Sequence, residues 1–469
     1  MFRRVFLARL LLAALFGALL VPAQAQEKFS EPALSDPDSW TVVLLPDLQG
    51  YAKKACNQPI MEIMTSWIAA HAEALNTKLV LCVGDLVEQN DRISNGYSGD
   101  QSSHKQWEAT ARAFSQLDGV VPYMTATGNH DYTYTRTGDR RTHIGEYFPV
   151  DKNPLNRRML SQYGLDAQGN HAVENAAFEL RSPEGIDYLF LNLEFAPRDT
   201  VIGWARRIVG LEEYRNHRVV LMTHSYLNAE SERIAGDPVR VTSYEPVVKN
   251  GKITKFKQEL PDANQGEAIW RKLVYPASNI ELVLCGHVSG WGFRTDANSA
   301  GRPVHQMLFD SQSMGGGYEG NGGDGWIRIL EFLPDGRTVR VMTYSPLFAL
   351  SPTTRQHAWL TEEGNQFSSP SSSGSGNCGR HFEYSAPRNA TPRPAARNSS
   401  RAGRRGSPVA GSAPERIAPS RHRSPRAVLR SLRISAIFAS AHATSGSMHA
   451  SSDCARDVRL YSTRGGTSG

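Results

Sequence analysis

The stretch LVLCVGDLVEQND, residues 79–91, runs from Leu79 to Val83 without a polar side chain, turns at Gly84 and then places a carboxylate, Asp85, where the apolar run stops. A short apolar run bounded by turn residues reads as a buried strand. Ending it on a charge costs desolvation energy unless an opposite charge meets it.

The pattern recurs along the chain. TVVLLPD (41–47), KLVLCVGD (78–85), VVPYMTATGNHD (120–131), IDYLFLNLE (186–194), RVVLMTH (218–224) and NIELVLCGH (279–287) all read as strands. Five of the six end on, or within two residues of, a side chain fit for metal or acid–base work: Asp47 and Gln49, Asp85, Asn129 and His130, His224, and His287. Between the first two lies QPIMEIMTSWIAAHAEALN, with Ile60, Ile63, Met64, Trp67, Ile68 and Leu75 at helical spacing and Pro59 in its first turn. SSHKQWEATARAFSQL (102–117) repeats the pattern. Strands alternating with helices predict an α/β domain with buried, largely parallel strands. Ligands gather outside the carboxyl ends of such strands, so residues 47 to 287 are expected to meet at one rim. No internal repeat is evident, and GGGYEGNGGDG (315–325) lacks the lysine of a phosphate loop and reads as a flexible loop.

Asp, Asn, Gln and His together suit a pair of divalent cations. Two such ions about 3.5–4 Å apart clamp a phosphoryl group when an anionic ligand spans both and neutral donors complete each shell. Asp85 is the natural bridge, and the two cations offset the cost of burying it.

PDLQG, VGDLVEQND, TGNHD, MTHSY and CGHVSG, in that order, resemble the five blocks of the calcineurin-like metallophosphoesterases over about residues 40–350. The resemblance implies a four-layer α-β-β-α sandwich of two mixed sheets and hydrolysis of a phosphate ester by metal-bound hydroxide. It implies two divalent ions drawn from Mn, Fe, Zn or Mg. Asp47 and Gln49 match ligands of one ion, Asp85 the bridge, and Asn129, His224 and His287 the ligands of the second. His130 matches the histidine that contacts the phosphoryl oxygens or protonates the leaving group, with Asp131 in place to orient it.

Two positions depart from the family pattern. Gln49 stands where the first block usually has histidine, and Ser289 where the last block has its second one. Both fall on the same ion, leaving it an oxygen-rich shell of Asp47, Gln49, Asp85, Ser289 and water, which suits Mn²⁺ or Mg²⁺ better than Zn²⁺. The departures also motivate a rival reading, a non-catalytic relative that keeps the fold as a binding module. Asp310 in HQMLFDSQS reads as a solvated loop aspartate with a lesser claim as a missing ligand. His143 and His171 read as surface residues and His305 as a strand-edge residue. Tyr132, Tyr134 and Tyr226 divide between cleft wall and packing, and Glu194 stands as a partner of the ligands.

The start, MFRRVFLARLLLAALFGALLVPAQAQ, has arginines, an apolar run from Leu10 to Val21 and Ala23-Gln24-Ala25, the pattern of a cleaved signal peptide. Residues 1–25 are therefore expected to be removed, placing the chain in the periplasm or outside the cell, with 26–39 a linker and 40–367 the catalytic domain. Residues 368–469 are Ser-, Pro- and Arg-rich and predict disorder. From 371 onward there are sixteen arginines and four acidic residues, a net +12, which leaves −6 of the chain's +6 for residues 1–370. A negative body argues against a basic groove for long nucleic acids. Cys82 and Cys285 read as buried free thiols, while Cys56, Cys378 and Cys454 lie in polar sequence and define no disulfide framework. The sequence sets no oligomeric state and shows no membrane-spanning segment in the mature chain.

Overall fold

Every residue of β1 (Trp40–Leu45) is buried, and the strand sorts its side chains by parity. Val43 and Leu45 face helices, whereas Trp40, Val42 and Leu44 face a second sheet. A period of two with both faces apolar is what a strand covered on each side requires. The computed structural model describes residues 29–370 except 92–98, 134–139, 237–238, 250–251 and 261. The expected signal peptide, the tail from residue 371, Tyr134, Cys378 and Cys454 lie outside the described residues.

The first sheet begins with β1, β2 (Thr77–Cys82) and β3 (Tyr123–Thr125), all parallel. The second contains β4 (Leu160–Leu165), β5 (His171–Arg181), β6 (Asp187–Asn192) and β7 (Arg218–Met222). A separate hairpin, β8 (Val239–Lys249) and β9 (Lys252–Leu260), follows. The chain then adds β10 (Ile280–Cys285), β11 (Gly290–Ala297) and β12 (Pro303–Asp310) to the second sheet. It returns to the first with β13 (Ile327–Phe332), β14 (Thr338–Tyr344), β15 (Trp359–Leu360) and β16 (Phe367–Pro370). The orders are β15-β14-β13-β1-β2-β3, with β16 also on β14, and β11-β12-β10-β7-β6-β5-β4. Both sheets are mixed: β13 runs antiparallel to β1, and β11 antiparallel to β12.

Helix α1 (Gln49–Ala52) follows β1, and α2 (Gln58–His71) and α3 (Ser103–Phe114) cover the outer face of the first sheet through Ile60, Met64, Ile68, Trp107 and Phe114. Helix α2 stops at His71, before the expected end at Asn76, whose φ of 45° marks the turn into β2. Helix α4 (Asp199–Val209) and the helical turns Gly266–Ile269 and Trp270–Val274 cover the second sheet through Val201, Ile202, Ala205, Leu273 and Val274. Between the sheets lies the third cluster, where Trp40 stacks on Phe332 at 4.2 Å and meets Tyr188 edge-on at 5.4 Å. Aromatic pairs of this kind add about 0.5–1.5 kcal/mol beyond area burial. The layers are helix, sheet, sheet, helix, as the resemblance implies.

Three segments differ from their sequence reading. The segment read as a linker is tied to the first sheet: Ser35 donates its N–H to Glu331 at 2.6 Å and Tyr344 donates its hydroxyl to Glu31 at 2.5 Å. The expected flexible loop 315–325 is pinned to α1 and to the start of α2, since Gly325 N–H donates to the Tyr51 hydroxyl at 3.0 Å and Asn57 Nδ2 to the Gly320 carbonyl at 2.8 Å. The first residues assigned to the tail form the end of β16. Cys82 and Cys285 are buried free thiols, and Cys56 is exposed. Among the described residues no helix is long and apolar enough to cross a membrane.

Candidate metal centre

The loops after β1, β2, β3, β7 and β10 are laced together at one rim. Val83 N–H donates to the Leu45 carbonyl at 3.2 Å, Leu48 N–H to the Asp85 carbonyl at 3.0 Å, and Gly286 N–H to the His224 carbonyl at 2.9 Å. Asp85 and His287 take left-handed backbone, φ 47° and 75°, at a cost of order 1–3 kcal/mol for each non-glycine residue. Two glycines make room for the carboxylates. A Cβ on Gly128 would lie 2.0 Å from Asp85 Oδ1 and 2.4 Å from its backbone nitrogen, and one on Gly286 would lie 2.2 Å from Asp47 Oδ1. Gly128→Ala is therefore expected to destabilise the fold by about 2–4 kcal/mol, read as a lower midpoint in thermal or urea unfolding.

The chain places all six expected ligands together. Asp85 Oδ1 accepts the His130 backbone N–H at 3.0 Å, and Asp85 Oδ2 accepts Gln49 Nε2 at 3.1 Å and lies 3.3 Å from His224 Nε2. His224 Nε2 is 3.2 Å from both Asn129 Oδ1 and His287 Nδ1. Ligand atoms of Asp85, His224 and His287 all lie within 4.8 Å of one another. Asp47 accepts the His287 backbone N–H at 3.0 Å and comes within 3.9 Å of His224 Nδ1.

The donor set fits divalent cations. His224 Nδ1 meets the Val83 carbonyl at 2.8 Å, an atom that can only accept, so Nδ1 carries a hydrogen and Nε2 faces the cluster. There it shares the space with His287 Nδ1, Asn129 Oδ1 and the Asp85 carboxylate, a set of lone pairs that a cation reconciles. The titration directions register the same crowding. Burial, then Asp310 and Asp85, push Asp47 well above the usual carboxylate range. Burial works the same way on Asp85, but His224 and His130 outweigh it and hold that carboxyl low. Burial and His224 push His287 down to about 3, leaving the neutral imidazole a metal requires.

His130 sits at the mouth of the site, with Nδ1 on the Glu88 carbonyl at 2.8 Å and Nε2 3.9 Å from Asp85 Oδ2. Asp131, expected to orient that ring, commits its oxygens to the backbone N–H groups of Val87 at 3.1 Å and Gly128 at 2.8 Å. The orienting role falls to Glu88, a residue the sequence reading missed. Its buried carboxylate lies 3.8 Å from Nδ1, and burial pushes it up to about 7.

A pocket of about 280 Å³ is lined by Gln49, Asp85, Asn129, His130, His287, Ser289, Gln312 and Ser313. Gln312 and Ser313 were not foreseen, nor was Phe195, whose ring lies 5.8 Å from His224 and 5.9 Å from His287. Position just past a strand end was the only signal for them. Asp310 is no solvated loop residue: it ends β12, is buried, and is pushed up to about 7 by burial. His305 lies on an interior strand between β10 and β11, bonded to Thr295 at 2.9 Å and Ser369 at 3.1 Å. His143 contacts Asp91 and Glu146 at the surface, and His171 is exposed. Tyr132 bonds Thr127 and Glu174, and Tyr226 bonds Gln306, so both pack inside rather than wall the cleft. Glu194 ends near the rim, but its oxygens are taken by Arg140, Arg198 and Asn175.

The calcineurin-like phosphoesterase family matches residues 41–289. An uncharacterized protein of Bacillus subtilis (strain 168), YvnB, is 29% identical over 316 residues, 66% of this chain. The chain spans only 20% of that relative's length. Similar solved structures include GAP50, the anchor in the inner membrane complex of Plasmodium, with a TM-score of 0.35 and 10% identity over 66% of this chain and 85% of that one. They also include a 5'-nucleotidase from Candida albicans, with a TM-score of 0.30 and 11% identity over 68% and 50%. With its family match covering more than half of its length, the chain belongs to the calcineurin-like phosphoesterases.

Proposed function

We propose that this is an exported, metal-dependent phosphoesterase. The observation that carries the reading is the convergence of Asp47, Gln49, Asp85, Asn129, His224 and His287, drawn from both sheets, in one contact cluster, of which Gln49, Asp85, Asn129 and His287 line a pocket with His130. Asp85, Asn129, His224 and His287 would hold one ion, and Asp47, Gln49 and Asp85 the other, with Ser289 beside it. Divalent cations there supply Lewis acidity toward phosphoryl oxygens and water. The chain's own contribution is positional and acid–base. The Glu88 carbonyl fixes the His130 ring by Nδ1, so that Nε2 meets the leaving-group oxygen and gives it a proton as the P–O bond breaks. Phosphomonoesters, small diesters and phosphoproteins are the candidate substrates, and the expected signal peptide places them outside the cytoplasm.

The test is hydrolysis of a mono- and a bis-nitrophenyl phosphate with Mn²⁺, Mg²⁺ or Zn²⁺ added in turn. We expect turnover with Mn²⁺ or Mg²⁺ and its loss on chelation. Inactivity under every metal would favour the rival reading, a non-catalytic binding module, which Gln49 and Ser289 in place of histidines support. A second expectation concerns retention. After extensive dialysis the ion held by Asn129, His224, His287 and Asp85 should remain and the other should leave, because imidazoles bind more tightly than neutral amides. Two zinc ions retained equally per chain, counted by mass spectrometry, would contradict it.

A further inference from the structure

We infer that Gln312, backed by Asp310, is a positioning residue that locks the Gln49 amide with its oxygen presented to a metal, in place of the imidazole this family usually has there. The inference rests on the metal-dependent reading above.

Gln312 leaves β12 two residues after Asp310, and its backbone N–H donates to Asp310 Oδ1 at 2.9 Å. Its Nε2 donates to Asp310 Oδ2 at 2.7 Å and to the His287 carbonyl at 3.3 Å. The His287 carbonyl has no hydrogen to give, so the nitrogen end of the Gln312 amide must face that side and Oε1 must face Gln49. Gln49 Nε2 donates to that oxygen and to Asp85 Oδ2. Turning the Gln49 amide over would set its oxygen against two acceptors at once, so its orientation is also determined. One atom is then left over: Gln49 Oε1 is buried and has no hydrogen-bond partner among the described residues. Gln49 itself is 1% exposed and stands on the wall of the same pocket as Asp85, His287 and Ser289. An amide that rotated freely would present its NH₂ group as readily as its oxygen, and the NH₂ group repels a cation. The run Asp310, Gln312, Gln49 fixes the choice in favour of the oxygen, a hard neutral donor suited to Mn²⁺ or Mg²⁺. Gln49 is then the ligand, and its orientation is set by Gln312, 263 residues away in sequence, together with Asp85.

The test is a Mn²⁺ titration of the full-length, metal-stripped protein, followed by electron paramagnetic resonance and calorimetry. Wild type is expected to bind two ions with unequal affinity. Gln312→Ala should weaken the weaker ion by about 10–100-fold and leave the tighter one within about twofold, the range seen when groups behind a ligand are removed. Gln312→Met, which keeps the side-chain length without the amide, should do the same and carries the test if the alanine variant does not fold. The paired change Gln312→Glu with Asp310→Asn swaps donor and acceptor between the two positions, keeps an acceptor for Gln49 and conserves charge, at the cost of the 3.3 Å bond to the His287 carbonyl. It should regain part of the affinity lost in Gln312→Ala, a recovery that a merely structural role would not produce. Two ions bound with unchanged affinities in the alanine and methionine variants would overturn the inference alone, as would equal weakening of both or no recovery in the paired variant. A wild type that binds a single ion would overturn the inference alone, and one that binds none would overturn the metal-dependent reading and this inference together.

Discussion

Asp85→Asn is expected to lower kcat/KM on nitrophenyl phosphates by about 10³-fold, because it removes the carboxylate that would serve both ions of the proposed centre, a loss of several kcal/mol in charge stabilisation. The substitution separates charge from shape. An asparagine can still accept the His130 backbone N–H that Oδ1 holds at 3.0 Å, so the loop after β3 should keep its course. What disappears is the negative charge beside Gln49 Nε2 and His224 Nε2. Bound metal should fall together with rate, while the unfolding midpoint measured in chelator stays near that of wild type. Activity within tenfold of wild type would remove Asp85 from the bridging position.

His130→Ala should act differently, cutting kcat by about 10²–10⁴-fold, the usual range for a positioned general acid, with metal content unchanged. None of the metal-facing distances runs through the imidazole of His130, which meets the Glu88 carbonyl at 2.8 Å, the Glu88 carboxylate at 3.8 Å and the edge of Asp85 at 3.9 Å. A proton donor matters most when the leaving group is a poor one. The deficit should therefore be larger for an alkyl phosphate than for a nitrophenyl phosphate, whose phenolate leaves without help. A deficit independent of leaving group would assign His130 to phosphoryl binding instead, and a parallel loss of metal would assign it to structure.

Much of the fold is written in strands that are apolar on both faces. Val42 and Val43, or Leu79 and Val80, need no partner to declare themselves, since residues facing helices and residues facing the other sheet are equally hydrophobic. The later strands are harder to see because polar side chains are buried in them. β13, IRILEF, carries Arg328 and Glu331 in a fully buried strand, where Arg328 reaches Thr343 and Asn365 and Glu331 receives Ser35 and Arg340. β11, GWGFRTDA, has two glycines and a half-exposed face. The site divides along the same line. Asp47, Asp85, Asn129, His130, His224 and His287 follow apolar runs and advertise themselves by contrast. Asp310 and Gln312 sit in FDSQS, which reads as loop, and become interior only because Gln49 and the His287 carbonyl come from distant parts of the chain to meet them. Glu88 was overlooked for a similar reason: its main-chain oxygen does the holding, and no residue type signals that.

The pairing of β1 with β13 has a bearing on how the protein comes into being. The first strand in the sequence and one of the last to be synthesised lie side by side, through Trp40 against Phe332 and Leu44 against Arg328. A growing polypeptide that has delivered Asp47, Asp85 and Asn129 therefore still lacks both imidazoles and the sheet edge that steadies them. Cations cannot be collected one ligand at a time during synthesis. Loading of the proposed centre would await a nearly finished chain, and the ions available in whichever compartment folding is completed would decide which metals it takes.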